Sequence, residues 1–135
     1  MKAVSLFFVT VAAGWLSTAP LVFAHHSFAA EFDLSKRIEF SGTLTKMEWT
    51  NPHTFLYLDV KEDDGKVTNW AFEMGSPNVL MRRGWTKNAL KVGDTITVGG
   101  YLAKDGSHIG NARQVTLSDG RKVFAGSTDD GGPTQ

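Results

Sequence analysis

The sequence predicts an all-β domain carrying one short helix, and three observations predict it. Apolar residues recur at every second position through most of the chain from Ile38 onward. Asp-Gly turns at Asp64-Gly65, Asp105-Gly106 and Asp119-Gly120 punctuate that alternation, supplying the positive φ that tight connections between strands need. Only the stretch from Ser76 to Gly84 carries both a helix start and a helix stop.

The first strand begins at Ile38. Ile38, Phe40, Gly42 and Leu44 occupy even positions, whereas Met47 and Trp49 are odd, so the inward-facing set changes sides near Thr45 and Lys46. Within one strand such a switch requires a bulge, which bends the strand and lets it serve two parts of a sheet. A second strand covers 55–60, with Leu56, Leu58 and Val60 on one face and Phe55 and Tyr57 on the other. A third follows at 66–74 and gathers Trp70, Phe72 and Met74 on one face. The helix comes next: Ser76 is its N-cap, Pro77 its first position, Val79, Leu80 and Met81 its apolar content, and Gly84 its stop. Residues 86–94 connect it to a fourth strand at 95–103, in which Gly99 and Gly100 mark a bend or bulge. A fifth strand spans 111–117, followed by a turn and a short extended segment at 121–124.

Five short strands, a bent first strand and one helix between the third and fourth describe a small Greek-key barrel of the OB type, with a two-sheet sandwich as the alternative. The barrel domain covers 38–125. Before it lies a leader at 25–37 without clear periodicity, and after it a tail at 126–135, rich in Gly, Ser, Thr and Asp, whose composition predicts no order of its own.

Residues 1–24 read as a cleaved secretory signal: Lys2 as the charged start, an apolar run from Ala3, and Val22-Phe23-Ala24 as the cleavage signal. Gly14, Ser17, Thr18 and Pro20 interrupt the run, which therefore reads as a signal and not as a membrane span. Export to a bacterial periplasm or the medium is the expectation. Removing 24 of the 135 residues leaves 111, one domain's worth of chain. It also removes Lys2, so 13 basic residues face 14 acidic ones. That balance argues against nucleic acid, which is gripped through a basic stripe. The chain has no cysteine, so neither disulfides nor thiol chemistry contribute.

Three constellations are candidates for function. A cut after Ala24 makes His25 the first residue, with His26 behind it; a terminal amine beside two imidazoles suits Cu(II), which prefers flat nitrogen sets and stands near the top of the affinity order. His53 and His108 are the available completing histidines. A cut after Ala29 or Ala30 would discard the pair, and the pattern lacks the third-position histidine common in amino-terminal copper sites, since Ser27 stands there. The second constellation is Trp49-Thr50-Asn51-Pro52-His53, where proline holds Asn51 extended; the structural reading has Asn51 and His53 bonding the loop's own backbone, and Trp49, Trp70 and Trp85 are readable as a ligand-stacking platform or as core. The third is Arg82-Arg83-Gly84-Trp85, whose cations suit a helix C-terminus and also an anionic ligand beside an aromatic ring; a charge pair with Glu73 or Glu48 is the structural reading. Catalytic signatures are missing: no Gly-x-Ser-x-Gly, no phosphate-cradling glycine loop, no evident acid-base pair.

The runs His25-His26-Ser27-Phe28, Glu48-Trp49-Thr50-Asn51-Pro52-His53, Asn69-Trp70-Ala71-Phe72-Glu73 and Gly75-Ser76-Pro77-Asn78, continued by Arg82-Arg83-Gly84-Trp85, resemble a family of bacterial exported proteins of unknown function. The resemblance spans nearly the whole mature chain. It implies a small exported OB-like barrel and assigns no activity, substrate or site. The leading expectation is a non-enzymatic binding module whose ligand face gathers Asn51, His53, Trp70, Arg82, Arg83 and Trp85. The alternatives are copper binding or copper handling through His25, His26 and either His53 or His108, and an interaction module of the cell envelope.

Overall fold

The computed structural model describes residues 27–134; the signal-like segment and the His25-His26 pair lie outside the described residues. The elements run α1 (Phe28–Glu31), β1 (Phe32–Glu48), β2 (Phe55–Lys61), β3 (Val67–Glu73), α2 (Pro77–Arg82), β4 (Thr95–Ala103), β5 (Ile109–Thr116) and β6 (Lys122–Phe124). One sheet in the order β3-β2-β1-β4-β5-β6 is closed into a ring by a parallel pairing of β3 with β5, from Ala71 opposite Ile109 to Glu73 opposite Asn111. With α2 inserted between β3 and β4, this is the OB-type barrel, and the sandwich alternative is not what forms.

The bend in β1 makes closure possible. Its first part pairs with β4 up to Thr43 opposite Thr95, and its second part pairs with β2 from Thr43 opposite Asp59 to Glu48 opposite Phe55. The register slips between Leu44 and Lys46, the point at which the apolar alternation changes phase. Gly42 lies where β1 crosses β2: a Cβ there would stand 2.6 Å from the Asp59 carbonyl oxygen. The predicted irregularity in β4 is likewise present, as a register shift between Gly99 and Gly100 against β5.

The core fills the ring. Leu44, Leu56, Leu58, Phe72, Ile96, Val98 and Val115 are fully enclosed, and α2 adds Leu80. Each such side chain contributes about 1.5–3 kcal/mol relative to exposure. Ser76 caps α2 as its sequence predicts, its Oγ accepting from the Val79 N–H at 3.4 Å.

Two regions depart from the sequence expectation. β1 begins at Phe32 and not at Ile38, preceded by the helical turn α1. Phe28 and Phe32 are four residues apart and bury together with Tyr101 and Ala103 in a small second apolar cluster. A helical turn running straight into a strand has neither period, which hides it from alternation. The tail, expected without order, lies against the barrel: Arg113 donates to the Ser127 carbonyl at 2.9 Å, and the Phe28 N–H donates to the Asp130 carbonyl at 2.8 Å. Hydrogen bonds rather than apolar content hold it there.

Candidate functional site

A cleft of about 390 Å³ opens between α1, the end of β3 and the β4–β5 turn; Glu31, Phe32, Phe55, Glu73, Lys104 and Ile109 are among its lining residues. Phenyl and aliphatic groups form much of the wall. Lys104 is tied to the leader, its Nζ donating to the Ala29 carbonyl.

Glu73 is the last residue of β3, on the opposite alternation phase from Phe72 and so outside the barrel core. The folded-back leader nevertheless shelters it, leaving its side chain 17% exposed. Burial is the main influence and pushes its pKa up; His53 opposes this, Glu31 and Asp130 reinforce it, and Arg113 opposes it weakly.

His53 reaches the site from the β1–β2 loop. A cis peptide joins Asn51 to Pro52, and Thr50 Oγ1 donates to the His53 carbonyl at 3.2 Å. The loop is then stitched to the end of β3 by Thr54 N–H to the Gly75 carbonyl at 3.1 Å and Met74 N–H to the Thr54 carbonyl at 2.8 Å. His53 Nδ1 lies 3.2 Å from the Met74 carbonyl oxygen and 3.5 Å from Glu73 Oε1. Both are acceptors, so Nδ1 carries the proton, and in the neutral ring Nε2 keeps a lone pair.

Behind Glu73, the Arg113 side chain is 3% exposed and donates through Nη2 to Asp130 Oδ1 at 2.8 Å. Its Cζ stands 4.4 Å from the centre of the Phe28 ring. Arg113 Nε and Asn111 Oδ1 are buried without a hydrogen-bond partner among the described residues.

The structure divides the sequence-predicted residues. Asn51 and His53 lie together in the β1–β2 loop, next to the start of α2, because Thr54 bonds Gly75 one residue before the cap. Arg82 and Arg83 lie at its other end, about 9 Å away for six residues at 1.5 Å each. Both arginines are exposed, and Arg83 sits 5.1 Å over the Phe124 ring. Trp70 and Trp85 belong to the core, at 8% and 3% exposure, which removes them from any stacking platform. Trp70 Nε1 donates to Glu62 Oε1 at 3.1 Å and Trp85 Nε1 to the Phe124 carbonyl at 2.8 Å. The pairing of Arg82 or Arg83 with Glu73 or Glu48 does not form: Glu73 faces His53, while Glu48 takes Lys46 and the Tyr57 hydroxyl.

His108 is separate from His53. Its ring packs on Trp70 at 4.9 Å between centroids. Trp70 and Glu73 are three residues apart on β3, which is about 10 Å of strand. Among the described residues no three His, Asp or Glu side chains converge to hold a metal ion, and no helix is long and apolar enough to cross a membrane.

Sequence reasoning overlooked Glu73 as a site residue because its phase reads as solvent-facing. Arg113 is the extra residue of β5 at the register shift opposite Gly99 and Gly100 and packs on Phe28, away from the core residues Ala112 and Val115, so alternation gave no sign of its burial.

A small closed barrel with a sheltered acid–histidine pair beside its folded-back leader is the class of protein these features define. The family of unknown function DUF6152 matches residues 14–113, and the chain belongs to it. The matched stretch contains His53 and Glu73 and ends at Arg113. No curated protein and no solved structure matches.

Proposed function

We propose that the protein is an exported binding module without catalytic activity, and that its ligand seat is the cleft at Glu73. Export rests on the signal-like residues 1–24. The observation that carries the binding reading is a carboxylate held largely out of water in an apolar-walled cleft of about 390 Å³. A sheltered acid with a raised pKa in a concave site is a candidate for ligand contact. The arrangement fits a small amphipathic molecule whose donor or cationic head meets Glu73 while its apolar body lies on Phe32, Phe55 and Ile109.

Phenethylamine and uncharged phenethyl alcohol are suitable probes, followed by amide chemical shifts. Saturable shifts confined to cleft residues, stronger for the amine and lost in Glu73→Gln, support the reading. Shifts scattered over the surface, or unchanged by Glu73→Gln, overturn it.

Copper handling is the second reading, and one observation favours it. The proton-bearing Nδ1 of His53 faces two acceptors, which leaves Nε2 as a metal-binding nitrogen at the site where the leader folds back.

A further inference from the structure

We infer that the connector from α2 to β4 is a docking surface for an anionic lipid bilayer, with Arg82, Arg83, Lys87 and Lys91 meeting the headgroup phosphates and Met81 and Val92 entering the interface. The inference does not depend on what the Glu73 cleft binds.

Charge is the first argument. Between Glu73 and Asp94 the chain has four basic residues and no acidic one, so the remainder carries ten basic residues against fourteen acidic. An even net charge therefore hides a strongly one-signed segment. All four basic residues are exposed, and among the described residues none of their side chains makes an ion pair. Asp94, the acid that bounds the segment, accepts the Lys91 backbone N–H at 2.8 Å.

Anchoring is the second. Trp85 and Leu90 belong to the barrel core at 3% and 6% exposure, whereas every other residue from Met81 to Gly93 is exposed. The Trp85 indole bonds the Phe124 carbonyl, and beyond Leu90 the Gly93 N–H bonds the Leu44 carbonyl at 2.8 Å. The cations beside and between these two anchors are thus carried together on one part of the barrel surface.

The chemistry of the partner is the third. Met81 and Val92 are 52% and 72% exposed, and Val92 is the most exposed large hydrophobic residue described. Each has cations next to it in the chain: Arg82 and Arg83 follow Met81, and Lys91 precedes Val92. A site for one soluble anion gathers its donors in a concavity; here the donors all stand in solvent and flank protruding apolar side chains. That mixture suits a bilayer, whose headgroup boundary takes apolar side chains while anionic lipid attracts each nearby cation. β4 runs from Thr95, beside this segment, to Ala103 in the cleft wall, roughly 26 Å of strand, so docking leaves the cleft open.

The test sediments purified exported protein with vesicles of phosphatidylcholine alone or mixed with phosphatidylglycerol. Binding to the mixed vesicles only is expected, and its loss at about 1 M salt, where the Debye length is about 3 Å. The triple variant Arg82→Gln, Lys87→Gln, Lys91→Gln should weaken binding about fivefold for each cation removed, and Met81→Gln with Val92→Thr should weaken it as well. The triple Lys36→Gln, Lys61→Gln, Lys66→Gln removes the same charge elsewhere and should change binding little. All these positions are exposed, and an unchanged Tm shows that the fold is retained. Equal losses in the two triples, binding to phosphatidylcholine alone, binding untouched by the Met81 and Val92 changes, or no binding to the mixed vesicles overturns the inference. Competition by millimolar glycerol phosphate, which marks a single-phosphate site, or binding of a sulfated polysaccharide in place of vesicles, overturns it too.

Discussion

Arg113 and Asp130 meet at 2.8 Å, Nη2 to Oδ1, in a place where the arginine side chain is 3% exposed and the aspartate 13%. The pair ties β5 to the tail, and because the same guanidinium covers Phe28, it ties the leader as well. Removing one member of a buried pair leaves the other charged and without compensation, at a cost of about 3–5 kcal/mol. Asp130→Ala is expected near the lower end, since the aspartate keeps some solvent contact. Urea unfolding measures it. A loss below about 0.5 kcal/mol, the scale of an ordinary surface change, would show that the tail contributes little to holding the barrel together.

Glu73 gives the protein a pH dependence of known sign. Burial raises its folded-state pKa above the 4.5 of an isolated glutamate. Below pH 4.5 both folded and unfolded chains hold the proton, and the contribution of Glu73 to stability is fully present. As pH rises through the folded-state pKa, the unfolded chain ionises first and that contribution is lost. Asp33, Asp105 and Asp119 act oppositely: hydrogen bonds from Ser35, Ser107 and Arg121 lower their pKa values, so their contribution is present above 3.8 and lost as pH falls through the folded-state values. Glu73→Gln removes only the first effect. Its Tm relative to the wild type is expected to rise between pH 4 and pH 7. A difference that does not change with pH would contradict the sheltered state of the carboxyl group.

How much was legible in the sequence depends on whether a signal was local. The change of phase after Leu44 located the bulge, paired glycines located the shift in β4, and Ser76-Pro77 located α2, because each is decided within a few residues. Glu73 obeyed the same alternation and read as exposed; residues distant in the chain surround it, among them Glu31 and Phe32 of the leader, His53 of the β1–β2 loop and Ile109 of β5. Trp70 and Trp85 were readable as a platform or as core, and burial with internal partners for both indole N–H groups decides for core. The tail's order comes from a buried arginine bonding the Ser127 carbonyl and Asp130 carboxylate, which composition does not reveal.

Gly42 tests the bend. A Cβ at this position would stand 2.6 Å from the Asp59 carbonyl oxygen and 3.1 Å from Val60 Cγ2, and the first of these is backbone that cannot swing aside. Gly42→Ala must open the β1–β2 crossing, a form of overpacking that costs about 1–3 kcal/mol. Hydrogen exchange at Thr43 and Asp59, which are partners in the β1–β2 ladder next to Gly42, is expected to accelerate more than at Val115 on β5. Uniform acceleration would indicate global destabilisation and not a local opening at the bend.

Gly126 tests whether the tail, Arg113 and leader act as one unit. A Cβ on Gly126 would lie 2.2 Å from Arg113 Nη1 and 2.7 Å from its Cδ, and this guanidinium has little freedom to move because Asp130 and Phe28 hold its other sides. Gly126→Ala is therefore expected to displace Arg113 from Asp130, so that it removes the same interaction as Asp130→Ala. Mutations that remove one shared interaction are not additive, and coupling of about 0.5–3 kcal/mol is typical of residues in contact. The double variant should be less destabilised than the two single changes combined, and amide exchange at Phe28, whose N–H bonds the Asp130 carbonyl, should accelerate in all three. Simple additivity with an unchanged Phe28 amide would mean that the leader is held independently of Arg113.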